Sequence, residues 1–207
     1  MSSTTAWWHH HWAVDWLAAE GQQAQRLLGS LRGQQVLELL PEDMPRLSLP
    51  EVESMIWRQR QGFWYRPVYS KQDQLPLVDN SLDVVVWRYL AMRHSERIAL
   101  LAAVHRCLRP GGLLLMAALN PLQPWCWRAC GLRQLGRQAV DITLPLHLQG
   151  FKTQSIRMAG GRRLLRPVRL ILLRKPGDPR IIRPLHGRLL NSVQHSSSGT
   201  VPSCRAA

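Results

Sequence analysis

The side chains that could take part in chemistry stand singly, at the ends of apolar runs. Trp87-Arg88-Tyr89 follows Val84-Val85-Val86, Asn120-Pro121 follows Leu113–Leu119, and Glu38 interrupts the run Val36–Leu40. Short apolar runs bounded by turn residues read as buried strands. Where such strands lie parallel in an open sheet, ligands sit beyond their carboxyl ends. The ends of these runs are therefore where a site belongs. His94, His105 and His147 are isolated, and no Ser/His/acid or paired-carboxylate set has useful spacing. Cys126 and Cys130 have helical i,i+4 spacing, but the nearest histidine, His147, is 17 residues beyond Cys130, so a zinc site is not expected. No set for a metal or a strong general base emerges.

The elements that must position these residues follow from periodicity and turn chemistry. Residues 1–12 read as a mobile arm, in which Trp8, Trp12 and Trp16 share one helical side as a packing stripe. A helix runs from Ala13 to Leu31, interrupted near Gly21 and ended by Gly33. Strands are expected at Gln35–Leu40, Ser54–Arg58, Arg66–Ser70, Val84–Trp87 and Leu113–Leu119. Between the last two, Ser95 can cap a helix reaching Leu108, and Pro110-Gly111-Gly112 turns the chain into the final strand. Strand, helix and strand from Leu75 to Pro121 form a βαβ unit. Asp79-Asn80-Ser81 is turn chemistry, Asp83 is expected to hold its own loop, and Asn120-Pro121 to open a helix at Trp125–Leu135. Thr143 can cap another short helix. Phe151–Met158 and Val168–Arg174 read as a long antiparallel hairpin.

The chain of 207 residues suits one domain with a real core. Three segments are expected: an N-terminal arm and helix over 1–33, the domain over 34–175, and a basic, disordered tail over 176–207. The longest apolar runs, Ile98–Val104 and Leu113–Leu119, fall far short of the roughly 18–20 residues that span a bilayer. No signal-like start and no disulfide framework are visible, so a cytoplasmic location is expected. The net charge of +14 is lopsided: residues 101–207 hold seventeen Lys/Arg against two Asp/Glu. A basic half-molecule admits a nucleic-acid partner, with Lys152, Arg157, Arg162, Arg163, Arg166, Arg169 and Arg174 as the phosphate-contacting set.

Three segments carry a family resemblance. Leu75-Pro76-Leu77-Val78-Asp79-Asn80-Ser81-Leu82-Asp83-Val84-Val85, Leu108-Arg109-Pro110-Gly111-Gly112-Leu113-Leu114-Leu115 and Leu148-Gln149-Gly150-Phe151-Lys152 resemble signatures of the type 11 branch of class I S-adenosylmethionine-dependent methyltransferases. The resemblance implies a Rossmann-like α/β sheet, mostly parallel, in the order 3-2-1-4-5-7-6 with strand seven antiparallel. It also implies S-adenosylmethionine as cofactor and a methyl acceptor that the sequence does not name. Glu38 occupies the acidic position of the family's first motif. Asp73, Gln74 and Leu75 fall where the family meets the adenine ring, and Trp87 and Arg88 at the fourth strand's carboxyl end near the methyl-transfer position. Methyl transfer needs mainly positioning, so the missing base is no obstacle.

The departures are equally specific. In the family, a glycine-rich loop follows the first strand so that backbone can approach the cofactor. Here Leu39-Leu40-Pro41-Glu42-Asp43 contains no glycine, and Ser54–Arg58 ends without the ribose-binding acid. A degenerate cofactor pocket is the expected result. The alternatives are an inactive interaction protein of the same fold, or a nucleic-acid binder.

Overall fold

The structure, a computed structural model, describes residues 7–29, 31, 34–47, 49, 54–66, 69–71, 74–90, 92–120, 122, 124, 126, 150–160 and 166–177. Its elements are α1 (Ala13–Leu28), β1 (Val36–Pro41), β2 (Met55–Arg60), β3 (Phe63–Arg66), β4 (Ser70–Lys71), β5 (Leu82–Arg88), α2 (His94–Cys107), β6 (Leu108–Leu119), β7 (Lys152–Ala159) and β8 (Val168–Arg174). They form one sheet in the order β4-β3-β2-β1-β5-β6-β8-β7. β2, β1, β5 and β6 are parallel, and β8 runs antiparallel to both β6 and β7. This is the expected order 3-2-1-4-5-7-6, with a two-residue strand added at the edge.

The central strands are apolar on both faces because both are covered. Alternation sorts their side chains. Val36, Leu40, Val84, Val86, Leu115 and Ala117 join Ala24 and Leu28 of α1 in one buried cluster. Leu37, Leu39, Val85, Trp87, Leu114 and Met116 join Leu100, Leu101 and Val104 of α2 in the other. Even-numbered positions of β1, and of β5 from Val84 on, thus face α1, and odd-numbered positions face α2. Two charged residues of those strands, Glu38 and Arg88, share the α1 side.

Several boundaries differ from the sequence reading, each for a local reason. The third strand is reached through a tight hairpin: Gln61 (φ 49°) and Gly62 (φ 86°) both take the left-handed conformation that two-residue hairpin turns require. β3 therefore lies antiparallel to β2 and begins earlier than Arg66, burying Trp64 edge-on to Trp57 at 6.1 Å. α1 runs through Gly21 unbroken and ends at Gly29 (φ 67°), whose N–H donates to the Gln25 carbonyl at 2.9 Å. α2 is capped by Glu96, not Ser95: its carboxylate accepts the Arg93 N–H at 2.8 Å. At the other end, Lys175 Nζ donates to the carbonyls of His105 (2.7 Å) and Leu108 (2.6 Å), closing the helix C-terminus with a cation.

Residues 7–12 are not a free arm. Trp7–His9 forms a 3₁₀ turn, and Trp7 is 1% exposed. A hydrophobic ring of that size is stabilised by roughly 25 cal/mol for each Å² it hides, which outweighs ordering a short segment. Asp83 does hold its loop, accepting the Gln35 N–H (2.8 Å) and Arg109 Nη1 (2.9 Å). The helices expected at Trp125–Leu135, Cys126 apart, and from Thr143, and the tail beyond residue 177, lie outside the described residues.

Gly112 shows why the turn into β6 is built from glycine. A Cβ there would meet the Arg109 carbonyl at 2.9 Å and the Asp83 carbonyl at 3.1 Å. Gly112→Ala is expected to cost about 1–3 kcal/mol as overpacking against fixed backbone, read as a lower urea midpoint with unchanged slope.

Candidate functional site

A buried ion cluster joins Glu38, midway along β1, to Arg88 at the carboxyl end of β5. Glu38 pairs in register with Val86, so Arg88 lies two residues further along the neighbouring strand on the same face. Arg88 donates to Glu38 Oε1 from Nη1 at 2.9 Å and to the Pro45 carbonyl at 2.7 Å. Its other edge meets Glu20 of α1 side-on, Nε to Oε1 at 2.7 Å and Nη2 to Oε2 at 3.1 Å. The hydroxyl of Tyr89 donates to the same Glu20 oxygen at 3.0 Å. Glu20, Glu38, Arg88 and Tyr89 are each 1–2% exposed.

The electrostatics follow from burial and pairing. Burial opposes the Arg88 charge, but Glu20 and Glu38 outweigh it and hold the guanidinium above its ordinary pKa. For Glu38, burial raises the pKa and outweighs the help of Arg88 and of the Leu47 N–H that donates to Oε1 at 2.8 Å. Its second oxygen, Oε2, is buried without a hydrogen-bond partner. Burial, then Glu20, raises the Tyr89 phenol well above its usual range.

The segment after β1 completes the closure. β1 continues through Leu40 and Pro41, paired with Arg58 and Gln59 of β2, where a loop would have to turn away. Met44 (0% exposed) and Leu47 (5%) then pack across the strand ends, and Arg58 Nη1 holds the carbonyls of Glu42 and Met44, the latter at 3.0 Å.

Of the six residues singled out from sequence, the five described ones fall into two groups on opposite faces of the sheet. Glu38 and Arg88 meet in the cluster just described. Trp87, on the opposite face, is 3% exposed in the α2-side core. Leu75, 2% exposed, belongs to the same α2-side core as Trp87, and with Gln74 it also borders, beside Ser70, Pro76, Ala102, Ala103 and Arg106, an open cleft of 440 Å³ on the flank of α2. None of the cleft's lining residues comes from β1 or β5. Arg106 fixes this wall, donating to the carbonyls of Leu75 (2.8 Å) and Leu77 (2.9 Å) and to Asp79. Asp73 lies outside the described residues. Glu20 was not singled out, although a signal existed: it falls i,i+4,i+8 with Ala24 and Leu28 on the apolar stripe of α1. A carboxylate there needs a buried cation.

Other candidates resolve into structural roles. Asn120 Oδ1 accepts the Leu122 N–H at 3.1 Å, an Asx turn that opens the next segment. Lys152, Arg157, Arg166 and Arg174 are exposed on or beside the β7–β8 hairpin, while Arg162 and Arg163 lie outside the described residues. Cys107 and Cys126 are both 0% exposed. Burial pushes the Cys126 thiol up to about 11 and raises Cys107 as well. At pH 8, about one Cys126 in a thousand is then thiolate. In protein carrying Cys130→Ser and Cys204→Ser, aromatic disulfide reagents should release colour only after denaturant is added.

Comparison with known proteins fits this architecture. Residues 52–116 match the family model described as a methyltransferase domain. Over 49 residues the chain is 43% identical to the malonyl-[acyl-carrier protein] O-methyltransferase of Dechloromonas aromatica, a stretch covering 24% of this chain and 18% of that protein. The chain thus matches less than a fifth of that relative's length. An S-adenosylmethionine-dependent methyltransferase from Aquifex aeolicus superposes with a TM-score of 0.53 at 11% identity, over 77% of this chain and 91% of that one. The N-methyltransferase NodS from Bradyrhizobium japonicum gives 0.52 at 14%, over 78% and 97%. The chain has the fold of S-adenosylmethionine-dependent methyltransferases, and residues 52–116 are similar in sequence to a methyltransferase domain. S-adenosylmethionine is the cofactor that the sequence resemblance implies. Its methionine end does not fit the arrangement described: Arg88, Met44 and Leu47 fill the space over β1 and β5, and no glycine lets the backbone withdraw.

Proposed function

We propose that the chain is an S-adenosylmethionine-dependent methyltransferase with a degenerate cofactor pocket. The observation that carries this reading is the sheet order β3-β2-β1-β5-β6-β8-β7, with β8 antiparallel to both of its neighbours. The methyltransferase-domain match over residues 52–116 supports the class. When bound, the cofactor would supply a sulfonium-activated methyl group. The chain's part would be to orient the acceptor, whose identity is not named.

A second reading, a catalytically silent protein of the same fold, is favoured by one observation: the filled space at the strand ends. Calorimetric titration with S-adenosylhomocysteine separates the two. The methyltransferase reading expects measurable heat with a dissociation constant of about 0.1–1 mM, roughly −4 to −5.5 kcal/mol. No heat and no thermal shift at millimolar ligand would leave only the silent scaffold.

A further inference from the structure

We propose that the groove between α1 and the β7–β8 hairpin binds single-stranded nucleic acid, its arginines holding phosphates and the tryptophans at its end stacking a base. This stands apart from the methyltransferase reading and holds for an active or a silent protein.

Two elements build the groove. Trp16, Ala19, Gln23 and Arg26 fall at i, i+3, i+7 and i+10, one stripe of α1. Opposite them, Met158, Ala159, Gly160 and Arg166 complete a cleft of about 230 Å³. Gly160 (φ 78°) brings the hairpin against the helix, so that a Cβ there would lie 3.6 Å from the Trp16 Cα. From Trp16 to Arg26 the stripe runs about 15 Å.

The charge of the groove is one-sided. Arg26 and Arg166 line the cleft with no acid among its lining residues. Asp15, the exposed acid of α1, lies outside it, and neither β7 nor β8 contains an acid. Arg157 pairs in register with Leu170, which packs in the α1-side cluster, so Arg157 extends the same face. Arg60, Arg88, Arg106 and Arg109 each pair with a carboxylate. Among the described residues, Arg26, Arg157 and Arg166 pair with none. Arg166 instead donates to the Met158 carbonyl at 3.2 Å, which steadies it on the wall. Cations on an edge strand can serve only to deter strand pairing. Arg26 is on a helix and Arg166 lies between the strands, so that role does not explain them.

The aromatic end favours a nucleic acid over other polyanions. Trp12 lies one turn before Trp16, with ring centroids 4.6 Å apart, and both are half-buried. The exposed imidazole of His10 lies on Trp12 at 5.3 Å, 12° from parallel, in the manner of a stacked base. Stacking surface beside a cationic track is the combination that binds single strands, because a duplex offers no free base face.

Fluorescence anisotropy of the full chain with dye-labelled short oligouridine and oligothymidine tests this. Log affinity should fall against log salt with a slope of about −2, for three phosphates neutralised. Arg26→Gln with Arg157→Gln removes exposed side chains outside the ion pairs of the fold. That variant should bind at least tenfold more weakly, with the slope shallower by about 1.4. Trp12→Leu should lose at least fivefold at an unchanged slope. Should it fold poorly, annealing the strand to its complement replaces it, and the duplex should bind at least fivefold more weakly. No binding at low salt, a flat salt response, full affinity in the arginine variant or equal affinity for the duplex overturns the proposal. Displacement by polyglutamate at equal charge overturns it in favour of an acidic protein partner. A preference between the uridine and thymidine strands tells RNA from DNA and supports the groove either way.

Discussion

Replacing Arg88 with leucine is expected to destabilise the protein by about 3–5 kcal/mol, because the change strands two buried carboxylates, Glu20 and Glu38. Removing one partner of a buried pair costs more than the pair contributes, since the remaining charge keeps its full desolvation penalty. The loss should depend on pH. Glu38 already sits above the ordinary carboxylate range through burial, and without Arg88 that rise must grow. A carboxyl whose folded pKa is raised stabilises the fold below its unfolded value and loses that contribution as pH climbs through the folded value. Arg88→Leu should therefore recover part of its stability toward mild acid. The triple variant Glu20→Leu, Glu38→Leu, Arg88→Leu should regain most of it at neutral pH, since an apolar cluster of similar volume has no charge to desolvate. Urea midpoints at pH 5 and pH 7.5 give both comparisons. A single variant as stable as wild type would mean these groups are solvated in solution.

Trp7→Ala should cost a similar amount, about 3–5 kcal/mol, as a large-to-small change in the core. Trp7 is fully enclosed, edge-on to Tyr89 at 5.0 Å and stacked near Trp12 at 6.2 Å. Its indole N–H has no partner, so Trp7→Phe breaks no hydrogen bond and should lose much less. The contrast between the two variants distinguishes ring burial from any hydrogen bond. Because the ring touches Tyr89, the alanine variant should also loosen α1, visible as faster amide exchange over residues 13–28. Equal stability of all three forms would return residues 7–12 to the status of an arm.

The parts legible in the sequence were those whose signals are local. Val84–Trp87, the helix through Leu101 and Val104, and Leu113–Leu119 showed period and punctuation within one βαβ unit, and all three form. The β7–β8 hairpin was visible for the same reason, two β-rich runs about a glycine turn. The Gln61-Gly62 turn offered a comparable signal, one glycine between short aromatic runs, and was passed over. Its cost was the position of the third strand.

The site was less legible because its defining contact is not local. Glu38 and Arg88 could be singled out as charges inside or beside apolar runs. That each satisfies the other depends on strand pairing and on a helix 68 residues away. Trp87 and Arg88, adjacent in sequence, face opposite sides of the sheet through simple alternation. Residues grouped by motif were therefore divided by geometry. Trp7 was read as part of an arm because a tryptophan among histidines has no periodic neighbour, and only the Tyr89 contact reveals its place.

Arginine side-chain NMR examines the closed cluster most directly. With ¹⁵N-labelled arginine, the Arg88 Nε–H donated to Glu20 should give a resonance protected from solvent exchange, absent in Arg88→Lys and lost or fast-exchanging in Glu20→Gln. If no such resonance exists in the ligand-free protein, Arg88 is open to water, and the filled strand ends do not describe this molecule.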